Sequence, residues 1–228
     1  WASKLEMHEA TANHFSVAIS QVSQDFLINP AGRHFSQMRA SDLVLVDLNA
    51  KNFGISESQL VDPTAINLHG QLHRLLPHAK CILHTHMPYT TALACLRDFE
   101  FLMLDQNACR FYQRIAYDRD YSGMALEASE GQRVAKVLGD SKSVIFLANH
   151  GVIVVGNSVA EAFDELYYLE KAAQLQVLAL STGRELALLD DRTATLVCKQ
   201  WLECPKTAEH HFAALTEILE LESPEYKN

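Results

Sequence analysis

The stretch "CILHTHMPYTTALACL", Cys81 to Leu96, sets two histidines one residue apart at the end of an apolar run. On an extended strand successive side chains alternate between faces, so an H-x-H pair directs both rings to the same side. Two imidazoles crowded onto one face are costly unless something such as a metal ion satisfies them. The flanking residues frame this strand with helices. "NLHGQLHRLL", Asn67 to Leu76, carries Leu68, Leu72 and Leu75 at helical spacing and ends before Pro77, and Pro88 opens "YTTALACL".

Upstream, "FSVAIS" (15–20), "DFLINPAGRHF" and "SDLVLVDLN" (41–49) read as strands joined by turns at Asn29, Pro30 and Gly32. Downstream, a mixed segment runs from Asp98 to Tyr121, and "LEASEGQRVAKVLG" (126–139) reads as a helix stopping near Gly139. "SVIFLANHGVIVVG" (143–156) is a pair of β-rich runs split by Asn149-His150-Gly151, which predicts a hairpin turn or strand-edge bend in which Gly151 frees the backbone to aim His150 inward. A long helix over 158–180 opens with the capping box Ser158 to Glu161 and closes at Gly183. Interleaved helices and strands predict an α/β fold in a single domain over 1–228, with the segment from about 184 as a helical extension and "ESPEYKN" as a loose tail.

Composition narrows the function classes. A hydrophobic fraction of 48% suits a globular core, and a net charge of −9 argues against a nucleic-acid or anionic-membrane partner. A small-molecule substrate is the expectation. Cys81, Cys95, Cys109, Cys198 and Cys204 are an odd set without paired spacing, which reads as reduced thiols in the cytoplasm. No run is apolar enough to span a bilayer and no signal peptide is evident. The chain opens on Trp1, so further sequence, including a first helix, is expected upstream.

The strongest chemical signal combines His84, His86 and His150. Three neutral imidazoles with an open position suit catalytic zinc and other divalent transition metals. Spacing alone does not bring the three together: H-x-H also fits a hydrogen-bonded pair in a strand, and N-H-G is ordinary turn chemistry.

In order along the chain, "ATANHFSVAI", "INPAGRHFSQMRASDLVLVDL", "LHGQLHRLLPHAKCILHTHMPYTTALA" and "ANHGVIVVGNSVAEAFDELYYLE" resemble the class II aldolase/adducin domain family, from about Glu9 to Thr182. The resemblance implies a three-layer α/β/α sandwich around a mixed, largely antiparallel sheet. It also implies a homotetramer with sites near subunit interfaces, and a divalent metal on His84, His86 and His150. Zinc is the first expectation for that metal, with iron, manganese or cobalt as alternatives.

A metal that chelates a hydroxy-carbonyl or carboxylate stabilises an enolate, common to aldol cleavage, dehydration, epimerisation and some decarboxylations; the acid/base and the substrate contacts choose the bond broken. In the family's sugar-phosphate aldolases that acid/base is a glutamate four residues before a helix histidine. Here "DPTAINLH" puts Ala65 at that position, and neither this segment nor Thr11 to Asn13 keeps the serines and glycine that cradle phosphate. The replacement candidates are His69 and His73, an i, i+4 pair that could equally be a packed and a solvated ring. Tyr112 is a further catalytic candidate, and Asn13, Thr64, Gln106 and Arg110 are candidates for holding substrate. Arg110 could fork a carboxylate or form a surface ion pair. Asp164, Tyr167 and Tyr168 could approach the pocket or simply pack, and Glu165 and Glu170 read as solvated. These residues support a metal-dependent lyase for a small hydroxy- or oxo-acid, aldolase- or decarboxylase-type. A non-haem iron oxygenase on the same histidines and a non-catalytic adducin-like interaction domain are the alternatives.

Overall fold

A computed structural model describes residues 1–19, 25–56, 60–121, 123–204 and 206–228. Ser20, the end of the first expected strand, lies outside the described residues. In chain order the elements are β1 (His14–Ala18), β2 (Phe26–Ile28), β3 (Val44–Val46), α1 (Pro63–Leu75), β4 (Cys81–Thr85), α2 (Pro88–Ala94), β5 (Ile115–Asp118), α3 (Ala128–Leu138), β6 (Val144–Leu147), β7 (Gly151–Gly156), α4 (Val159–Ser181), α5 (Asp191–Leu202) and α6 (Lys206–Glu222).

The strands form one sheet in the order β3-β2-β1-β4-β7-β6-β5. Every neighbouring pair is antiparallel except β5 with β6. Strand alternation splits the core in two. Cys81, Leu83, Val144, Phe146, Val152 and Val154 face α2 and α4. Their neighbours Ile82, Ile145, Ile153 and Val155 face α1 and α3 instead. The result is an α/β/α sandwich, and each fully buried aliphatic side chain contributes about 1.5–3 kcal/mol. Among the described residues no helix is long and apolar enough to cross a membrane.

Capping explains the helix boundaries. The first helix starts at Pro63, four residues before the expected start at Asn67, because Asp62 accepts a hydrogen bond from Thr64 N and Pro63 suits the first turn. Ser158 caps α4 as expected, and Gly139 (φ +64) ends α3 in the left-handed region. β5, inside the segment left unassigned from sequence, is only four residues long. The C-terminal tail is not loose: residues 224–227 form a short helical turn, and Ser41 N donates to Asn228 O.

Candidate metal centre

His84 lies on β4 with the parity of Ile82, so it points to the face covered by α1 and α3. His86 follows two residues later, just beyond the strand end. The third histidine comes from the β6–β7 turn, where Leu147 O accepts from His150 N and Asn149 sits in the left-handed region at φ 56. Gly151 acts differently from the expectation: its φ is ordinary, but a Cβ there would lie 2.6 Å from Thr85 O and 2.8 Å from His86 Cδ2. Close approach of the turn to β4, rather than backbone freedom, requires glycine.

The three rings form a near-equilateral triangle, with centroids 5.0 Å (His84–His86), 4.8 Å (His84–His150) and 4.9 Å (His86–His150) apart. One ligand nitrogen from each lies within 4.8 Å of the others. Hydrogen bonds fix two of the rings. His84 Nδ1 donates to Val152 O at 3.0 Å, and His86 Nδ1 lies 2.7 Å from Glu9 Oε2. For His84 this leaves Nε2 with its lone pair, and the buried His86 Nε2 has no hydrogen-bond partner. A carboxylate or carbonyl behind a histidine is the usual support of a metal ligand. Burial first, then the neighbouring imidazoles, hold His84 far below its ordinary pKa and push His150 down to about 4, so both rings are neutral donors. The residues present therefore fit a divalent cation. A cavity of about 560 Å³ opens beside the triangle, lined by His8, Glu9, His86, Thr91, Asn149 and His150.

Sequence reading missed Glu9 and His14. His14 is directly opposite His84 across the β1–β4 ladder, with ring centroids 5.6 Å apart, and its Nε2 is 3.5 Å from Asp62 Oδ2. The hydrogen bond from His14 holds the Asp62 carboxyl well below the usual range. The signal available was the alternation itself, which puts His14 and Ser16 of β1 on one face.

The remaining candidates fall into two groups. His69 is fully buried beside His14, with rings edge-on at 5.8 Å, and His73 lies one turn further along α1. Asn13 is also fully buried; its side chain bonds both the backbone N–H and the carbonyl of Glu9, setting the segment that reaches His86. Thr64 is occupied by Asp62 at the start of α1.

Gln106, Arg110 and Tyr112 gather at α4 and α5, and none of their contacts is with the three histidines. Arg110 is buried, not a surface ion pair: its guanidinium bonds Asp164 and lies over the Tyr168 and Trp201 rings at 4.1 and 4.4 Å. Asp164 also bonds His211, and Tyr167 packs on the same histidine. Gln106 O accepts from Trp201 Nε1, and Tyr112 O lies 3.7 Å from Cys198 Sγ. Glu165 and Glu170 are buried rather than solvated. Glu165 bonds Arg114 and Ser143, while Glu170 accepts from the backbone N–H groups of Tyr89 and Thr90, anchoring α2 just after His86.

An α/β/α sandwich with three convergent histidines at the end of a central strand defines the class. Residues 1–177 match the Class II Aldolase and Adducin N-terminal domain, and the chain belongs to that family. It is 34% identical over 181 residues to a class 2 aldolase-type protein of Caulobacter vibrioides, covering 79% of this chain and 69% of that one. It is 28% identical over 221 residues to human β-adducin, covering 91% of this chain but only 30% of the adducin. Among solved structures, an aldolase II superfamily protein from Pseudomonas syringae superposes with a TM-score of 0.89 at 30% identity, over 100% of this chain and 90% of that one. L-fuculose 1-phosphate aldolase from Glaciozyma antarctica gives 0.84 at 26% identity, over 100% and 87%.

Proposed function

We propose that the chain is a divalent-metal-dependent carbon–carbon lyase, aldolase- or decarboxylase-type, for a small hydroxy- or oxo-acid. The observation that carries this reading is the triangle of His84, His86 and His150, with the buried His86 Nε2 uncommitted while Glu9 holds the other side of the ring. A cation held by these nitrogens, zinc before iron, manganese or cobalt, supplies Lewis-acid stabilisation of negative charge on a substrate carbonyl or carboxylate oxygen.

The chain's own residues do the rest. Glu9 and Val152 O orient two ligand rings, and Asn13 fixes the backbone of Glu9. The cavity offers imidazole, hydroxyl, amide and carboxylate groups, which suit hydroxyl and carbonyl oxygens. Ala65 packs among Phe26, Ile28 and Val44, so the position of the family glutamate is part of an apolar cluster. Proton movement passes to His14, held at Nε2 by Asp62 and adjoining His84, with His69 behind it. A homotetramer in the cytoplasm completes this reading, with residues 1–228 as one domain.

The likeness to adducins favours a second reading, a non-catalytic interaction module. Elemental analysis of protein purified without added metal, paired with a screen of hydroxy- and oxo-acids for carbon dioxide or aldehyde release, separates the two. The lyase reading expects about one metal per chain and turnover lost in His84→Ala. A folded, metal-free and inert protein overturns it in favour of the module.

A further inference from the structure

Behind the triangle, between β1 and α1, three polar side chains form a hydrogen-bonded line. His73 Nδ1 lies 2.8 Å from Ala79 O, Ser16 Oγ lies 2.8 Å from His73 Nε2, and Ser16 Oγ lies 2.6 Å from His69 Nδ1. The far nitrogen of the last ring, His69 Nε2, is buried with no partner.

The direction of this line follows from what each group can do. A carbonyl only accepts, so His73 Nδ1 carries a hydrogen and donates to Ala79 O. His73 packs against the Phe26 ring at 4.9 Å, and burial pushes it down to about 4, so near neutral pH its Nε2 is bare and accepts. The hydrogen it accepts is the single one on Ser16 Oγ. With that hydrogen used, the serine oxygen accepts from His69, which must therefore carry its hydrogen on Nδ1. His69 is neutral for the same reason of burial. Its Nε2 is consequently a bare acceptor, on a ring that stands edge-on to His14.

We infer that Ser16 and His73 are positioning residues of the candidate site: they fix His69 in one tautomer and keep an unprotonated nitrogen on the ring that backs His14. The catalytic meaning of this assignment rests on the lyase reading, but the tautomer itself does not. Burying an acceptor without a donor is unfavourable, and such a group persists in a fold where its neighbours over-determine it. Here the line from Ala79 does so. The register of β1 places Ser16 opposite Ile82, two residues from the His14–His84 pair, so the same ladder sets both the serine and the histidine it serves.

The test is a long-range ¹H–¹⁵N correlation spectrum of the histidine-labelled protein near pH 7.5. His69 is expected to show a protonated Nδ1 and a pyridine-type Nε2. Ser16→Ala is expected to abolish this single-tautomer pattern, and Ser16→Thr, which retains a hydroxyl, to keep it. A wild-type His69 protonated at Nε2 overturns the inference, as does a Ser16→Ala spectrum with the His69 tautomer unchanged. If Ser16→Ala does not fold, the wild-type spectrum alone decides. Elemental analysis and the acid screen on the same wild-type sample separate the two readings: a metal-free and inert protein with the expected tautomer sinks the lyase and leaves the positioning line, and a metal-bound, active protein with the opposite tautomer does the reverse.

Discussion

Two buried polar clusters stand on opposite faces of the sheet, and they treat their polar atoms differently. At the Arg110 cluster the charges are matched internally: Asp164 takes both Arg110 and His211, the guanidinium lies against the Tyr168 and Trp201 rings, and Arg110 Nη1 is left without a hydrogen-bond partner. At the histidine cluster the protein fixes one nitrogen each of His84 and His86, while His86 Nε2, His14 Nδ1 and His69 Nε2 have no hydrogen-bond partner. The first arrangement holds α5 and α6 to the core. The second keeps acceptors available for something the chain does not itself supply.

That contrast can be broken by mutation. The largest effect is expected from His84→Ala, which should abolish stoichiometric zinc or cobalt binding, read by titration and elemental analysis, while the protein stays folded. Next is Arg110→Ala, which leaves Asp164 buried with a weakened set of partners and should lower stability by about 3–5 kcal/mol in urea unfolding. Its metal affinity should be unchanged; a large loss there would show that the two clusters are not separate. Glu9→Gln weakens the support of His86 and should reduce metal affinity about 10-fold, the lower end of the range for such partners, because Glu9 is exposed.

The pH dependence sharpens the same comparison. His73 is neutral in the folded chain down to about pH 4, whereas in the unfolded chain it titrates near 6.5. Its contribution is therefore fully present above about pH 6.5 and is lost as pH falls toward 4, with a slope approaching about 1.4 kcal/mol per pH unit. Urea midpoints at pH 7.5 and 5.5 should show this fall, and His73→Gln should make it shallower by one group's share, with His69, His84 and His150, also held neutral by burial, supplying the remainder. The smallest expected effect is that of His211→Ala, about 1 kcal/mol, since Arg110 still neutralises Asp164 and the histidine is partly exposed.

Much of the fold was legible because a strand buried on both faces leaves a continuous apolar run in the sequence. The apolar runs of β4, β6 and β7 and the caps Ser158 and Gly139 are local signals, and the H-x-H and N-H-G motifs are local too. β5 was not legible, since Ile115–Asp118 is short and its partner β6 lies beyond α3. The site was legible in its ligands and obscure in its supports. Glu9 meets His86 across 77 residues of chain, and His14 meets His84 across β-ladder pairing that no spacing announces. Arg110 shows the converse: an arginine among aromatics resembles a substrate clamp or a surface ion pair, and only the helices that pack on it reveal that it is buried and paired with Asp164.

Gly151 carries one more consequence. It binds nothing and moves no proton, yet one extra methyl group there would collide with the carbonyl of Thr85 and the ring of His86. A saturation scan of this protein would therefore score position 151 as intolerant as any ligand, for a purely steric reason. Empty space, held open where two strand ends nearly touch, is as much a part of the centre as the histidines around it.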